Sequence, residues 1–545
     1  MKYYITTPLY YVNDNPHIGS AYPTIACDFL AGHFVQTGAQ LSFLTGTDEH
    51  GQKIEKAAKA RGLSPKAHCD EIVSEFKRLW EILEIKNTHF VRTSDDQHKT
   101  FVTEFFKKVK NNGYIYKGEY KGLYCVSCED FKLEKDLEES PEGKLQCPVH
   151  KQSVEEYSQE NYFFALSKFE KPLKDYISSN PDFISPNYRK NEVLSWLDEG
   201  LRDFPISRVG LEWGIDIPDD PSQKIYVWFD ALLGYISGLE IDPDSFWGRD
   251  KEDFWAEDSQ IIHIIGKDIL RFHAIYWPAM LMAAGYPLPK KVFGHGFLTK
   301  DGMKMGKTLG NIIDPFELIQ EFGADAVRFF FLREFPFGRD GDYSRLAMIN
   351  RLNTDLANNL GNLLNRSTNL LRKYFSNENP ENEFATEAFT QLTINNEIIQ
   401  GINHHFTNFK AEVAEIDFFS AFNSVFTALN EMNLSMSNTA PWTLLKEGSL
   451  ENRKKAFSCL YASLEACRKA AICLAPLTPN LSKNIFIQLG IIDTDYDMNN
   501  RTLSLSHEFS FEYFTKKPLN LSNIENILKN QSKPIFERIL EKEPA

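Results

Sequence analysis

The sequence has no long hydrophobic run. Of its 545 residues, 42% are hydrophobic and 25% are charged, and no apolar stretch approaches the roughly 18 residues that a membrane-spanning helix needs. The first residues, MKYYITTPLYY, lack the apolar stretch and the small-residue cleavage site of a secretory signal peptide. These absences argue against a membrane protein and predict a soluble globular protein of the cytoplasm.

Cysteine is scarce, and positive charge is not in excess. Eight cysteines in a chain of this length do not make a disulfide scaffold, which favours a reducing compartment. The formal net charge is −15, whereas proteins that bind nucleic acids more often carry a basic balance. An RNA partner would therefore have to meet a local strip of Lys and Arg, because phosphate neutralisation depends on nearby charges.

Short apolar runs predict the strands of a parallel sheet. They lie at residues 2–7, 41–45, 225–229, 261–265 and 292–297. Each is rich in β-branched or aromatic residues and is followed by a turn and a helical pattern, which is typical of a Rossmann-like α/β fold. Residues 113–222 are different, with many Gly, Pro, Cys and charged residues, and we predict that they form an insertion that splits the sheet.

The chain becomes mainly helical after residue 310. Leucines recur there at helical spacing and would lie on one stripe of a helix, as in a helical bundle. These residues are Leu356, Leu360, Leu363, Leu364, Leu370 and Leu371. The length of the chain agrees with a division into several domains.

Polar residues and glycines follow each predicted strand. The segments are PLYYVNDNPHIGS, GTDEHG, DALLGY, GKDILRFH and LTKDGMKMGKTLGN. In an open parallel sheet, ligands bind outside the carboxyl ends of the strands. The sequence therefore predicts an active site at this edge of the sheet.

Two of these segments have the residue types that bind a nucleoside triphosphate. In PHIGS, residues 16–20, Gly19 would let a phosphate approach the N–H groups at a helix start, and His17 would donate a hydrogen bond to it. In KMGKT, residues 304–308, Lys304 and Lys307 would neutralise the charge that builds as pyrophosphate leaves.

The same two segments resemble the HIGH and KMSKS signatures of class I aminoacyl-tRNA synthetases. They occur in the family's order and are separated by a split sheet with an insertion. Ser20 replaces the final His of the first signature, and Gly306 and Thr308 replace the two Ser of the second. Ser20 and Thr308 keep a hydroxyl donor, so we expect catalysis to survive. The resemblance implies catalytic roles for His17, Ser20, Lys304 and Lys307.

Five segments resemble the methionyl-tRNA synthetase family: TTPLYYVN, LTGTDEHGQKI, YVWFDALLGY, GKDILRFHAIYWPAM and KTLGN. The resemblance implies activation of L-methionine by ATP, with Mg²⁺, and transfer to the terminal 2′-hydroxyl of tRNA(Met), including the initiator. Aromatic and aliphatic walls suit a nearly apolar thioether. The implied methionine-binding residues are Leu9, Tyr11, Asp48, Trp228, Ala231, Leu232, Tyr235, Ile269 and His273. The implied ATP-binding residues are His17, Gly19, Gly266, Lys267, Asp268, His295, Lys304 and Lys307.

The insertion contains a pattern of zinc ligands. Cys125, Cys128, Cys147 and His150 form two closely spaced pairs joined by a loop, which can close a tetrahedral Cys3His site. Because all four ligands come from the protein, the zinc ion would be structural. The same knuckle occurs in a subset of methionyl enzymes. The remaining cysteines are predicted to be buried apolar residues; they are Cys27, Cys69, Cys459, Cys467 and Cys473.

Three residues of the helical part match the residues with which the family reads a CAU anticodon. Asn362 and Arg366 lie four apart and off the leucine stripe, so both are predicted to face outward. Trp442 follows Pro441 at a predicted helix start, where an exposed indole would form a platform for a base.

The resemblance also implies a division of the chain. Residues 1–113 and 223–310 would form the two halves of the Rossmann catalytic domain, 114–222 the connective insertion with the zinc knuckle, 311–355 a stem-contact region, 356–498 a helical anticodon-binding domain and 499–545 a C-terminal tail. No appended oligonucleotide-binding domain is visible, so we expect a monomer.

Two alternative functions stay open at this point. A class I enzyme for Leu, Ile or Val would need a large editing insertion, and the present one leaves little room for it. A cysteinyl enzyme would need zinc at the substrate thiol. The second alternative, a catalytically inactive RNA-binding protein descended from a synthetase, is motivated by Ser20, Gly306 and Thr308.

Overall fold

The chain divides into two units in a computed structural model. The first unit comprises residues 1–27, 41–81 and 85–295, and the second comprises residues 28–40, 82–84 and 296–545. The structure describes residues 1–125, 130–132, 134–140, 143–148, 151–240, 254–305, 311–375, 397–492, 518–529 and 533–540. The bounds of the six predicted regions stay a prediction.

The strands up to residue 295 belong mainly to one parallel sheet and two antiparallel sheets. They are β1 (Lys2–Tyr11), β2 (Gln40–Asp48), β3 (His89–Arg92), β4 (Ile115–Cys125), β5 (Asp130–Lys132), β6 (Glu138–Glu139), β7 (Leu145–Gln146), β8 (Glu155–Phe164), β9 (Ile184–Ser185), β10 (Phe204–Pro205), β11 (Ser207–Val209), β12 (Asp216–Ile217), β13 (Asp220–Ile225), β14 (Ser259–Gly266) and β15 (Lys291–His295).

The predicted α/β core is present as a six-stranded sheet. Its strand order is β3-β2-β1-β14-β15-β9, and β1–β14, β14–β15, β15–β9 and β2–β3 all pair in parallel. Chain order runs outward from β1 to β3 on one side and from β14 to β15 on the other, where the earlier strand β9 adds the edge. The boundary between β1 and β14 is therefore the switch point beside which open α/β sheets bind their ligands.

One predicted strand is wrong, and two strands were missed. Residues 225–229 do not join the sheet: Ile225 ends β13 in a separate antiparallel sheet, and the next residues form a short helix, Val227–Ala231. A short buried apolar run has the same pattern in a strand and in a buried helix, which explains the error. The edge strands β3 and β9 are only four and two residues long.

The predicted insertion is mostly antiparallel, unlike the core. One sheet has the order β10-β8-β4-β5 and a second the order β11-β13-β12. β4 and β8 pair from Ile115 opposite Phe164 to Tyr124 opposite Glu155. Strand β9 also lies within residues 114–222, yet it pairs with β15 in the parallel sheet. The region therefore contributes one edge strand to the core as well as its own sheets.

Helices cover the parallel sheet and form most of the second unit. Up to residue 295 they are α1 (Ile18–Gln36), α2 (Gln52–Ala60), α3 (Pro65–Ile82), α4 (Asp96–Asn111), α5 (Glu170–Ser179), α6 (Asn187–Asp198), α7 (Val227–Ala231), α8 (Gly234–Ser237) and α9 (Trp277–Ala284). They continue with α10 (Pro315–Phe322), α11 (Ala324–Glu334), α12 (Arg345–Leu352), α13 (Asn362–Phe375), α14 (Glu397–Ala414), α15 (Phe418–Thr439), α16 (Pro441–Glu447), α17 (Leu450–Leu474), α18 (Pro479–Gln488) and α19 (Leu521–Lys529).

Two π-helical stretches interrupt this pattern, one of five residues before α9 at Phe272–Tyr276 and one of nine residues before α13 at Asn353–Gly361. The second unit also has a small sheet of β16 (Leu298–Lys300), β17 (Met303–Lys304) and β18 (Gly341–Tyr343), in the order β17-β16-β18. In the part of the chain that the structure describes, no helix is long and apolar enough to cross a membrane.

The leucine stripe forms the core side of the predicted bundle. Five of its six members are at most 1% exposed, and the sixth, Leu370, is half-buried. α13 packs against α17, which also packs against α14 and α15. The buried Arg328 of α11 adds a polar anchor, because its guanidinium donates to the Asp28 carboxylate at 2.7 Å and to backbone carbonyls that include Leu83 O.

The tail docks on the bundle where the structure describes it. Asn353 Nδ2 donates to Ile539 O, and Ile539 N–H donates to Asn353 Oδ1, both at 2.8 Å. Arg372 Nε donates to Ile527 O at 2.8 Å. These bonds hold the described parts of the tail against the bundle.

Candidate active site

The candidate site lies at the carboxyl ends of the parallel strands. Tyr11 ends β1, Asp48 ends β2, Gly266 ends β14 and His295 ends β15. All four are residues that the sequence assigned to substrate binding. The parallel pairing brings these four strand ends to one edge of the sheet, whereas the run at 225–229 is not a strand of this sheet.

His17 and Gly19 lie at the start of α1 and depend on each other. The Gly19 N–H donates to His17 Nδ1 at 3.0 Å, and a Cβ added to Gly19 would lie 2.7 Å from Cε1 of the ring. Only glycine therefore lets the imidazole fold back over the helix start. The Gly19 amide, predicted to be free for phosphate, is bonded to the ring.

This geometry sets the tautomer of His17. Because Nδ1 accepts from Gly19, the proton of the neutral ring is on Nε2, which can donate to a ligand. The ring keeps part of its surface exposed, but the protein around it lowers the pKa of His17 below its ordinary value by desolvation. The imidazole is therefore a neutral donor at pH 7. Ser20, which follows, is buried and its carbonyl accepts from Thr24 Oγ1 at 2.9 Å.

The predicted ATP-binding residues at the ends of β14 and β15 lie close together. A Cβ added to Gly266 would lie 2.5 Å from Asp268 Oδ1 and 3.8 Å from His295 Nε2, so these three residues surround one point. The His295 ring packs edge-on against Tyr22 of α1, with the centroids 5.7 Å apart. Asp268 is exposed and Lys267 half-buried, which leaves the carboxylate accessible to a hydroxyl-bearing ligand.

Tyr235 and His273 form the polar end of the predicted methionine pocket. Tyr235 Oη lies 2.8 Å from His273 Nε2, and His273 Nδ1 lies 3.0 Å from Ile269 O. A carbonyl can only accept, so Nδ1 carries the proton and Nε2 accepts from the phenol. Burial lowers the pKa of His273 to about 4, so the ring is neutral and does not place a charge beside an apolar side chain.

Other residues of the predicted methionine pocket are buried or in close contact with their neighbours. Trp228 stacks on Phe272 with the centroids 3.8 Å apart and meets His273 edge-on at 6.5 Å. A Cβ added to Gly234 would lie 2.5 Å from Leu9 Cδ1, so α8 and β1 are in close contact. Ala231 ends α7 and Leu232 follows it, and both are at most 5% exposed.

The charge of Asp48 affects the Tyr235 hydroxyl. Burial raises the pKa of Tyr235, and the negative charge of Asp48 raises it further. Asp48 is itself buried at the end of β2. This effect connects Asp48 with one residue of the predicted pocket, and its role as the site of the substrate ammonium stays a prediction.

Two buried acids beside the pocket were missed. Glu49 accepts from Arg92 Nε at 2.7 Å and Nη2 at 2.9 Å, and from the hydroxyls of Thr47 and Ser94. Asp230 lies between His50 and His98. Glu49 and His50 are part of the GTDEHG segment, so their position after a strand was a usable signal, but no local pattern pairs them with distant partners.

The second signature lies only partly in the described chain. Lys304 ends β17, whose backbone pairs with β16 through Thr299 opposite Lys304. The Lys304 side chain and residues 306–310, which include Gly306, Lys307 and Thr308, lie outside the described residues. Their approach to His17 stays a prediction.

The predicted zinc site is also described in part. Cys125 and Cys147 are buried, whereas Cys128 and His150 lie outside the described residues. The Lys151 N–H donates to Cys147 O at 2.8 Å, and Lys151 has a positive φ of 52°. Among the described residues no group of three or more His, Cys, Asp or Glu could hold a metal ion. The other five cysteines are buried, as predicted.

The predicted anticodon readers come together in the second unit. Asn362 and Arg366 are exposed on α13, as their spacing predicts, and Pro441 begins α16. The Arg366 guanidinium lies over the Trp442 ring, 5.0 Å from its centroid. Trp442 is half-buried, so the indole is less exposed than predicted because a cation–π contact occupies one face.

A protein-family model described as tRNA synthetases class I (M) matches residues 3–368, more than half of the chain. The match spans the parallel sheet, the strand-end residues and the start of the helical unit. The chain therefore belongs to the class I tRNA synthetases.

Individual relatives show which family within class I the chain belongs to. The methionine–tRNA ligase of Nostoc sp. is 45% identical over 545 residues, which cover 98% of this chain and 97% of that protein. The chloroplastic/mitochondrial methionine–tRNA ligase of Arabidopsis thaliana is 48% identical over 496 residues, or 90% of this chain and 78% of that protein. Within its class, the chain is a member of the methionyl-tRNA synthetase family, the methionine–tRNA ligases.

A solved structure of the same family is also similar to this chain. The Mycobacterium tuberculosis methionyl-tRNA synthetase in complex with methionyl-adenylate matches with a TM-score of 0.83 at 35% identity, over 95% of this chain and 97% of that chain. Family membership excludes the alternative of a Leu, Ile, Val or Cys enzyme.

Proposed function

We propose that this chain activates L-methionine with ATP and transfers it to tRNA(Met), with the residues at the strand ends as its active site. The observation that carries the proposal is the neutral Tyr235–His273 pair, with Trp228 edge-on to His273. His273 also bonds to Ile269 O, three residues after Gly266, beside which Asp268 and His295 lie. The segment that follows β14 therefore carries residues of both the predicted methionine pocket and the predicted ATP site.

The first step forms methionyl-adenylate. A methionine carboxylate oxygen attacks the α-phosphorus of ATP, the bond to the bridging oxygen breaks, and pyrophosphate leaves with the electron pair. No protein nucleophile is needed, so the residues act by position and charge. His17 Nε2–H donates to the phosphates, while Lys304 and Lys307 neutralise the leaving group. Mg²⁺ accompanies ATP and supplies further charge neutralisation when it is bound.

The second step is acyl transfer to RNA. The terminal 2′-hydroxyl of tRNA(Met) attacks the carbonyl carbon of the adenylate, and AMP leaves as the mixed-anhydride bond breaks. Asn362, Arg366 and Trp442 read the anticodon in this proposal, for initiator and elongator tRNA alike. The expected cytoplasmic location and monomeric state stay predictions.

Selection of methionine follows from the pocket. Asp48 holds the substrate ammonium, and the aromatic and aliphatic residues enclose the thioether, which is polarisable but only weakly polar. The pocket residues would orient the sulfur against the Tyr235 hydroxyl and the neutral His273. Desolvation of a charged imidazole there would be costly, so the low pKa of His273, about 4, suits an apolar substrate.

The test is ATP–pyrophosphate exchange with each amino acid in turn. We expect exchange that depends on methionine and is at least ~10-fold weaker, as kcat/KM, with Leu, Ile, Val or Cys, since single differences in an apolar pocket discriminate by about 10 to 200-fold. A chain that binds tRNA(Met) but exchanges with no amino acid would contradict the proposal and support the inactive RNA-binding alternative.

We also propose a structural zinc ion held by Cys125, Cys128, Cys147 and His150. The burial of Cys125 and Cys147 and the hydrogen bond from Lys151 N–H to Cys147 O fit such a site. Zinc would close the loop between the two ligand pairs and so stabilise the insertion.

Cys147→Ser is expected to lose the zinc and to lower the midpoint of thermal unfolding, because metal binding contributes folding free energy. Metal content by atomic emission spectroscopy should fall from about one zinc per chain to near zero. Cys473→Ser, which changes a buried cysteine of α17, should retain the metal. Zinc bound at full stoichiometry to Cys147→Ser would contradict the assignment.

A further inference from the structure

A buried carboxylate connects three segments behind the proposed methionine pocket. His50 Nδ1–H donates to Asp230 Oδ2 at 2.7 Å, and His98 Nε2–H donates to Asp230 Oδ1 at 2.6 Å. Asp230 and His98 are fully buried and His50 is 2% exposed. The three residues come from α7, from the segment after β2 and from α4.

The network extends to a fourth element. Ser237 Oγ, at the end of α8, lies 2.7 Å from His98 Nδ1. His98 therefore bonds to the carboxylate through Nε2, while its Nδ1 is within hydrogen-bond distance of the Ser237 hydroxyl. The carboxylate is thereby tied to both short helices that carry the proposed pocket residues.

Asp230 is ionised although it is buried. Burial by itself raises the pKa of Asp230, but His50 and His98 outweigh that effect and hold the pKa at about 2. A buried charge is tolerated only when its hydrogen-bond partners fit closely, and charge-assisted bonds are short and directional. The network is therefore a stiff connection between its segments.

Both walls of the proposed pocket depend on this connection. Asp230 lies between Trp228 and Ala231 on α7, so its position sets that of the aromatic wall. On the other side, the carbonyl of His50 accepts from Tyr11 Oη at 2.7 Å. Asp48 precedes His50 by two residues in the same segment. The carboxylate itself is fully buried and is bonded to His50 and His98.

We propose that Asp230 is a positioning residue for methionine, which sets the distance between the apolar wall on α7 and the Tyr11–Asp48 side of the pocket through His50 and His98. This inference rests on the proposed assignment of the methionine pocket. In this proposal Asp230 does not contact the substrate. Its loss raises the KM for methionine more than the KM for ATP, because the predicted ATP-binding residues belong to other segments.

The first experiment uses Asp230→Asn in the full-length enzyme. Asparagine has the same shape but loses the charge and places an amide donor against one imidazole. We expect the KM for methionine in ATP–pyrophosphate exchange to rise about tenfold, equivalent to ~1.4 kcal/mol, while the KM for ATP stays within about twofold. The selectivity for methionine over norleucine should fall as well.

A matched control separates positioning from stability. Asp355 is a buried carboxylate of the second unit that accepts from Arg333 Nε at 2.9 Å. Asp355→Asn removes a buried ionic partner in the same way and should lower the thermal midpoint without changing the KM for methionine. If Asp230→Asn behaves like Asp355→Asn, with lower stability and an unchanged KM, the positioning role is overturned.

A milder variant covers the case in which Asp230→Asn does not fold. Ser237→Ala removes only the hydroxyl that orients His98, and we expect the KM for methionine to rise about two- to fourfold at an unchanged KM for ATP. An unchanged KM for methionine in this variant would also overturn the inference. A wild-type enzyme without methionine-dependent exchange would instead overturn the proposed function and this inference together.

Discussion

Lys304→Ala is expected to lower the rate of methionine-dependent ATP–pyrophosphate exchange by roughly 100- to 1,000-fold, because one preorganised group that stabilises developing charge contributes about that much. Negative charge builds on the phosphates as pyrophosphate leaves, and no protein nucleophile compensates for a missing ammonium group. The loss should fall mainly on kcat, since the interaction strengthens in the transition state.

The hairpin that carries Lys304 offers a matched control. Gly302 N–H and Thr299 Oγ1 both donate to Asp342 Oδ1, at 2.8 and 2.6 Å, so the backbone of the hairpin is anchored without the lysine side chains. Lys300 pairs with Met303 in the same hairpin. Lys300→Ala makes the same change of charge there and should leave kcat within about twofold, as most surface substitutions do.

The comparison is made by initial rates of exchange at saturating methionine and ATP, with tRNA(Met) binding measured in parallel. Lys304→Ala should keep its affinity for tRNA(Met). An exchange rate equal to that of the wild type would refute the catalytic role of the KMGKT segment. Loss of exchange together with loss of tRNA binding would point to misfolding, and thermal unfolding of the same samples would show it.

Arg366→Ala and Trp442→Ala should each lower kcat/KM for charging tRNA(Met) by about 10- to 100-fold, the range of ~1–3 kcal/mol that a base stacked on an aromatic side chain contributes. The guanidinium over the indole holds the ring in place and adds positive charge beside it. Either change therefore damages the same recognition surface. Exchange without tRNA should be unaffected in both variants.

A second cation–π pair in the bundle provides the control for this prediction. Arg453 lies over the Phe375 ring at 5.0 Å from its centroid, and the resemblance assigns it no role with the anticodon. Arg453→Ala should charge tRNA(Met) within about twofold of the wild-type kcat/KM, as surface changes away from a site usually do. Equal losses in all three variants would mean that the effect is general weakening of the bundle.

Several features of the fold were predictable from local sequence. Residues 2–7, 41–45, 261–265 and 292–297 all fall in or overlap strands of the parallel sheet. The leucine stripe of the bundle is buried as its spacing predicts, apart from Leu370. Periodicity and turn residues are properties of neighbouring positions, so they can be read without knowing the fold.

Prediction of secondary structure from local sequence failed where a segment is buried on all sides, because its hydrophobic periodicity is then lost. The run at 225–229 has the aromatic and β-branched composition of a strand, yet α7 takes Val227–Ala231. Strand β9 has two residues, Ile184 and Ser185, and pairing with β15 is what defines it. Such elements depend on which neighbour they meet, and that neighbour is distant in the chain.

By itself, the sequence determined the α/β class, the helical second part and the family, because glycines, histidines and lysines at fixed offsets after apolar runs are local patterns. The tertiary structure decided which buried polar groups share partners. His50 and His98 reach Asp230 across 180 and 132 positions of sequence, and Arg366 meets Trp442 across two helices. A buried charge needs partners within hydrogen-bond distance, and only the packed chain determines which residues come that close.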